Sequence, residues 1–228
     1  QAEEFGVIVK ETMSGATLID AGIEAKGGLL AGRIITEICL GGYGKAEIFC
    51  KQYDNLEFPS IFVYTDHPAI ATLGSQFAGW QIKVDKYTAI ASGPARALAL
   101  KPRELYEKIE YGDKADVAVL VLETDKEPLE EAITYISDEC KVEPDRLSLI
   151  LAPTSTIAGC THISGRIVET GMHKLMELGF DPKLVTSACG YAPIAPVHPK
   201  FAQAMGRTND AIMYAGVAYY TTSYDDDE

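Results

Sequence analysis

Residues 159–175 read GCTHISGRIVETGMHKL, bringing two imidazoles, a guanidinium, a carboxylate and a thiol into one short run. On a helix, His162, Arg166, Glu169 and His173 follow one another at steps of four, three and four and share a face. Ile163, Ile167, Val168 and Leu175 supply the packing face. Three kinds of chemistry fit this stripe. The plainest is a solvated face tied by i,i+3 and i,i+4 pairs, each worth about 0.2–0.5 kcal/mol. A metal site would use Glu169, His173 and His162, but Arg166 in their midst repels a divalent ion and the spacing matches no standard zinc pattern. An acid–base site would use Glu169 as proton acceptor with Arg166 orienting it. A neighbouring cation lowers a carboxylate's pKa while burial raises it, and such opposed effects gather at active sites. Cys160 and His162 stand two residues apart, so on a helix they point apart and form no thiol–imidazole couple.

Three further strings could hold a ligand. SGPARA (92–97) sets Ser92 and Gly93 before Pro94, a good first helical residue, with Arg96 one turn in. Free N–H groups at such a start bind phosphate or carboxylate. APTSTIAG (152–159) places Thr154 and Ser155 after a buried strand, where open α/β sheets bind ligands, and simple helix capping explains the same residues. GRTND (206–210) groups Arg207, Asn209 and Asp210 before an apolar strand. Asn209 and Asp210 could fix an amide or amine edge, or make an Asx-turn. Trp80 reads as core, and His67 and His198, each beside a proline, carry no assigned role. No Walker A loop, GxGxxG, GxSxG or HExxH is present.

The elements that must position these residues follow from periodicity and breakers. Residues 16–23, 46–50, 60–65, 79–84 and 87–92 read as short strands. Residues 29–42 read as a helix stopped by Gly41-Gly42, and 67–77 as a short helix or turn. A helix from Ser92 is broken or restarted at Pro102. The runs 116–124 and 147–153 are the clearest buried strands, with an amphipathic helix over 127–142 between them. One long helix is predicted from Thr154-Ser155 to Gly179, then a short strand at 185–190. Irregular chain is expected at 191–200, where three prolines fall within eight residues. Strand-like residues close the chain, followed by DDDE as a solvated tail. The fold class is α/β (α+β), in two mixed layers or domains, 1–112 and 113–228, divided at the polar YGDKAD (111–116).

The composition sets outer limits. At 228 residues and 47% hydrophobic, the chain can bury a substantial core. A net charge of −13 with no basic run argues against nucleic acid and anionic membrane surfaces as partners. Five cysteines, an odd number without a CxxC pair, read as buried reduced thiols of a cytoplasmic protein. No segment has the apolar length of a membrane span, and no signal peptide is visible.

Seven strings occur together: AGRIITEICLGG (31–42), LGSQFAGW (73–80), SGPARALAL (92–100), LAPTSTIAG (151–159), ISGRIVE (163–169), APIAPV (192–197) and GRTNDAIMYAG (206–216). Each is weak alone. As an ordered set covering nearly the whole chain, they resemble the methenyltetrahydromethanopterin cyclohydrolases. That resemblance implies reversible hydrolysis of the cationic methenyl bridge of a folate-like one-carbon carrier to a formyl group. It implies a homotrimer whose α/β domains enclose a pterin pocket, with no metal or redox cofactor. In the family's SGR-x-x-E motif the Arg and Glu form the catalytic pair, and they match Arg166 and Glu169. Substrate contacts are expected from Phe77, Ser92, Gly93, Arg96, Thr154, Ser155, Asn209 and Asp210. Archaeal members commonly carry Lys where this chain has Phe77, so the GSQ-aromatic-AGW form looks more like the versions from methylotrophic bacteria. Phe77 then stacks on the pterin or packs. Family members run further at both ends, so either an N-terminal helix and a C-terminal segment are absent or the sequence is partial. Two alternatives stay open: a pterin-binding protein without turnover, and a metal-dependent hydrolase.

Overall fold

The two apolar runs at 116–124 and 147–153 become adjacent parallel strands, Ala118–Glu123 and Leu147–Leu151. Side chains alternate across a strand, and here both faces are buried. Leu120, Leu122, Leu147, Leu149 and Leu151 pack with Ile133 and Ile136 on one side, while Val121 and Ile150 meet Ile35, Cys39 and Ala158 on the other. Continuous apolar runs are what a strand covered on both faces requires.

The computed structural model describes residues 2–223, and the DDDE run read as a tail lies outside the described residues. In chain order the elements are Ala2–Phe5 (α1), Ile8–Glu11 (β1), Thr17–Asp20 (β2), Leu29–Cys39 (α2), Gly44–Tyr53 (β3) and Leu56–Thr65 (β4). A π-helical segment, Ala69–Gln76, precedes Trp80–Val84 (β5), Tyr87–Ser92 (β6), Ala95–Ala99 (α3), Arg103–Ile109 (α4) and Ala118–Glu123 (β7). Then follow Glu130–Cys140 (α5), Leu147–Leu151 (β8), Ile157–Ser164 (α6), Ile167–Glu177 (α7), Val185–Pro193 (β9), Phe201–Ala215 (α8) and Val217–Thr222 (β10). The class is α/β, as the pattern predicts.

Two sheets form. The six-stranded sheet has the order β1-β2-β8-β7-β6-β5, with a parallel centre and antiparallel flanks. The four-stranded sheet, β10-β9-β4-β3, is antiparallel throughout. Each sheet takes strands from both sides of residue 112, so segments 1–112 and 113–228 interleave through both.

Several expectations need correction. The single helix from Thr154 to Gly179 is two, α6 and α7, joined at Gly165-Arg166. The cap of α6 is Thr156, whose Oγ1 accepts from the Gly159 N–H at 3.1 Å, and neither Thr154 nor Ser155 fills that place. Residues 191–193, expected to be irregular, extend β9 and pair with β4. Residues 206–210, placed before a strand, lie inside the fifteen-residue helix α8. Its buried residues Ala204, Thr208 and Ile212 recur every fourth position, the spacing of one helix face.

The turn after β2 shows how a buried acid is satisfied. The Asp20 carboxylate accepts N–H bonds from Gly22, Ile23, Glu24 and Ala25 at 2.6–2.8 Å. Burial pushes its pKa up, but the four N–H bonds outweigh this and hold it below the usual value.

Candidate active site

The helix break at Gly165-Arg166 lies at a close approach between helices. Gly32 of α2 has no room for a side chain: a Cβ there would lie 2.4 Å from the Thr161 Cβ of α6. The two helices therefore approach closely. At Gly165 a Cβ would sit 2.6 Å from Thr36 Cγ2 and 2.8 Å from Thr36 Oγ1. From the π-helical segment, the buried Gln76 donates its amide to the Gly165 carbonyl at 3.1 Å. The chain turns here, leaving α6 against the six-stranded sheet through Ala158 and sending α7 onto the four-stranded sheet through Ile167, Val168 and Met172.

Arg166 sits at this turn, with φ −89° and ψ 9°, as the N-cap residue of α7, and Glu169 lies in the first turn. A helix N-terminus favours a carboxylate there. Arg166 Nε and Nη2 both donate to Glu169 Oε2, at 3.0 and 2.9 Å. Among the described residues no hydrogen bond reaches Oε1. Both side chains are largely shielded, 12% and 6% exposed. Burial lowers the Arg166 pKa, but the carboxylates of Glu169 and Glu123 outweigh this and raise it above the ordinary arginine value.

The pair opens into a cleft of about 300 Å³. Its wall comprises Ala78, Ile90 and Glu123, with Ile163, Arg166, Glu169 and Thr170 from the α6–α7 region. Met205, Thr208, Asn209 and Ile212 of α8 complete it. A second cleft, about 350 Å³, shares Ile90 and Glu123 with the first and continues along Gln81, Thr88, Asp125 and Phe201.

The helical stripe predicted from spacing does not survive the break. His162 is fully buried, its Nδ1 3.9 Å from Cys39 Sγ, which lies 3.5 Å from Ser92 Oγ. Burial, with a further push from Arg166, drives the His162 pKa down to about 3, and burial raises the Cys39 thiol to about 11. His173 stacks on Phe77 at 4.8 Å, away from the pair. Among the described residues, no three His, Cys, Asp or Glu side chains converge as metal ligands.

The other candidates separate. Asn209 faces the cleft, whereas Asp210 is exposed on α8 and is not part of the wall. Arg96 is fully buried and donates to the carbonyls of Lys101, Leu73 and Ser75 at 2.9, 3.1 and 3.3 Å. Phe77 packs over the Arg96 guanidinium at 5.3 Å. Ser92 is buried beside Cys39, and the Gly93 N–H donates to the Ser75 carbonyl at 2.8 Å. Thr154 is buried and donates its hydroxyl to Glu123, while Ser155 is half-buried and outside the wall of either cleft. Glu123 stands beside these residues without belonging to any motif. Its only sequence signal is an acid closing the apolar strand AVLVLE, at the end where α/β sheets bind ligands.

Fold and site together define a two-sheet α/β protein with a shielded arginine–carboxylate pair facing a cleft, an arrangement suited to moving a proton to or from a bound small molecule. Residues 1–228 match the family described as Cyclohydrolase (MCH), and the chain belongs to that family. Among its curated relatives, the methenyltetrahydromethanopterin cyclohydrolase of Methanococcoides burtonii is 47% identical over 96% of this chain. Those of Methanosarcina barkeri and Methanocaldococcus jannaschii are each 45% identical, over 98% and 99% of it. The chain spans 68%, 70% and 71% of these three relatives.

Proposed function

We propose that this protein catalyses the reversible hydrolysis of a methenyl-tetrahydromethanopterin-type cation to the formyl derivative. The observation that carries this is the Arg166–Glu169 pair at the wall of the cleft, in a chain of the cyclohydrolase family. The methenyl carbon is an electrophile bonded to two nitrogens. Water attacks it and forms a C–O bond, and the water proton passes to Glu169. The carbon–nitrogen bond to one ring nitrogen then breaks as that nitrogen takes up a proton and the new hydroxyl loses its own, leaving a formyl group on the other nitrogen and one net proton released. Both Arg166 bonds fall on Oε2, which supports Oε1 as the oxygen that takes the proton. The same carboxylate supports the cation through space before attack.

In this reading Arg166 positions Glu169. Its positive charge also moderates ground-state attraction for the cation, which by itself does not speed the chemical step. Asn209 contributes from the cleft wall, Thr154 through its bond to Glu123, and Phe77, Ser92, Gly93 and Arg96 support the site from behind. The reaction needs no metal or redox cofactor. The enzyme acts in the cytoplasm as a homotrimer, with the pterin carrier as its small-molecule partner. Among the described residues no helix is long and apolar enough to cross a membrane.

The test is the loss of the methenyl chromophore on adding the purified protein, with and without a chelator. Turnover indifferent to chelator is expected. Binding without turnover would make it a carrier-binding protein, and chelator-sensitive turnover a metal-dependent hydrolase. Sedimentation at micromolar concentration is expected to give three copies.

A further inference from the structure

Glu123, at the C-terminal end of β7, stands on the wall of both clefts, so a ligand extending from one into the other passes it. The buried Thr154 donates its hydroxyl to Oε1 and fixes the carboxylate, and no hydrogen bond reaches Oε2 among the described residues. Its charge also acts on the Arg166 guanidinium.

The charges on the wall of the first cleft are Arg166, Glu169 and Glu123. Arg166 and Glu169 cancel, and a neutral pair exerts little net pull on an ion. Glu123 leaves the cleft with one net negative charge. Under the reaction proposed above, on which this step rests, the methenyl form is a cation and the formyl form is neutral. We infer that Glu123 is the residue that selects the cationic form, by attraction through the face of its carboxylate held open by Thr154.

The attraction acts on the bound cation and persists while water approaches, because the positive charge is not yet discharged. It is absent from the formyl complex. Removing it weakens methenyl binding and the transition state alike, so the forward reaction loses KM and keeps kcat. The equilibrium constant is unchanged, so kcat/KM falls by one factor in both directions. The reverse reaction therefore keeps its KM for the formyl form and loses kcat.

The test uses purified wild type and Glu123→Gln, which keeps an oxygen for Thr154 to bond. Initial rates are measured from methenyl- and from formyl-tetrahydromethanopterin. KM for the methenyl form is expected to rise about tenfold or more, a change of about 1.4 kcal/mol per tenfold. Forward kcat stays within about twofold, and reverse kcat falls by the same factor as forward kcat/KM. Thr154→Val, which frees the carboxylate to rotate, gives the same pattern more weakly. Equilibrium titration of the methenyl form, in the Glu169→Gln background with and without Glu123→Gln, reads the same affinity loss without turnover. Turnover by the wild type together with unchanged methenyl affinity in Glu123→Gln overturns the role of Glu123 alone. A fall in forward kcat at constant KM overturns it too, by placing Glu123 in the chemical step. Absence of turnover in the wild type, with affinity that still depends on Glu123, overturns the reaction and leaves the cation recognition standing.

Discussion

At the scale of single residues, the decisive feature is that both bonds of the Arg166 fork converge on one oxygen of Glu169. A bidentate fork spread over both oxygens would occupy the acceptor that a reacting water needs. Glu169→Gln keeps the volume and removes the proposed base, so kcat is expected to fall about 10²–10⁴-fold with the melting temperature nearly unchanged. Near-normal turnover would remove Glu169 from the chemistry. A second prediction concerns His162, held neutral with its pKa down at about 3 by burial first and by the Arg166 charge second. In the unfolded chain an imidazole binds a proton below about 6.5. Between about 6.5 and 3 the unfolded state therefore holds a proton that the folded state lacks, and stability falls with falling pH at up to about 1.4 kcal/mol per pH unit. His162→Gln is expected to flatten that acid limb in unfolding free energies measured across this range. An identical slope in both proteins would show that His162 is not kept neutral.

At the scale of elements, the sequence made the central strands and α2 plain, because covered parallel strands need unbroken apolar runs and Gly41-Gly42 can take the positive φ that stops a helix. It also brought Arg166 and Glu169 into view. It did not reveal that they straddle a break. Residues 154–179 hold helical periodicity throughout, and Gly165 at the break packs against Thr36, a residue over a hundred positions away. Helix α8 was missed for a related reason. Ile212 and Tyr214 favour strands as readily as helices, Gly206 weakens the helix locally, and only the burial of Ala204, Thr208 and Ile212 against the rest of the fold decides. Glu123 was invisible because one acid at a strand end has no pattern. The need for this close packing is testable. Gly165→Ala is expected to cost about 1–3 kcal/mol by overpacking and to lower kcat as the turn carrying Arg166 shifts. Adding Thr36→Ala removes both close atoms and is expected to restore part of each, read by thermal melts and turnover together. No recovery in the double variant would place the strain elsewhere.

At the scale of the whole molecule, the chain visits the six-stranded sheet, the four-stranded sheet, the six-stranded sheet again and then the four-stranded sheet again. Cutting at residue 112 would strip β7 and β8 from one sheet and β9 and β10 from the other. Fragments 1–112 and 113–228 are therefore expected to be unfolded by circular dichroism when made separately, since two-stranded remnants are marginal in water. A cooperative melt in either fragment would show that half of the molecule is self-sufficient. The weave bears on the moment at which activity can first arise. β4 and β9 pair directly although more than a hundred residues separate them. The phenol of Tyr220, in β10, bonds the Val168 carbonyl at 2.9 Å and lies where a Gly171 Cβ would be. On a ribosome the arginine and glutamate emerge some fifty residues before the strand that pins their helix. A nascent chain thus carries Arg166 and Glu169 before β10 exists to brace α7 through Tyr220, and activity is expected only once that strand has been made.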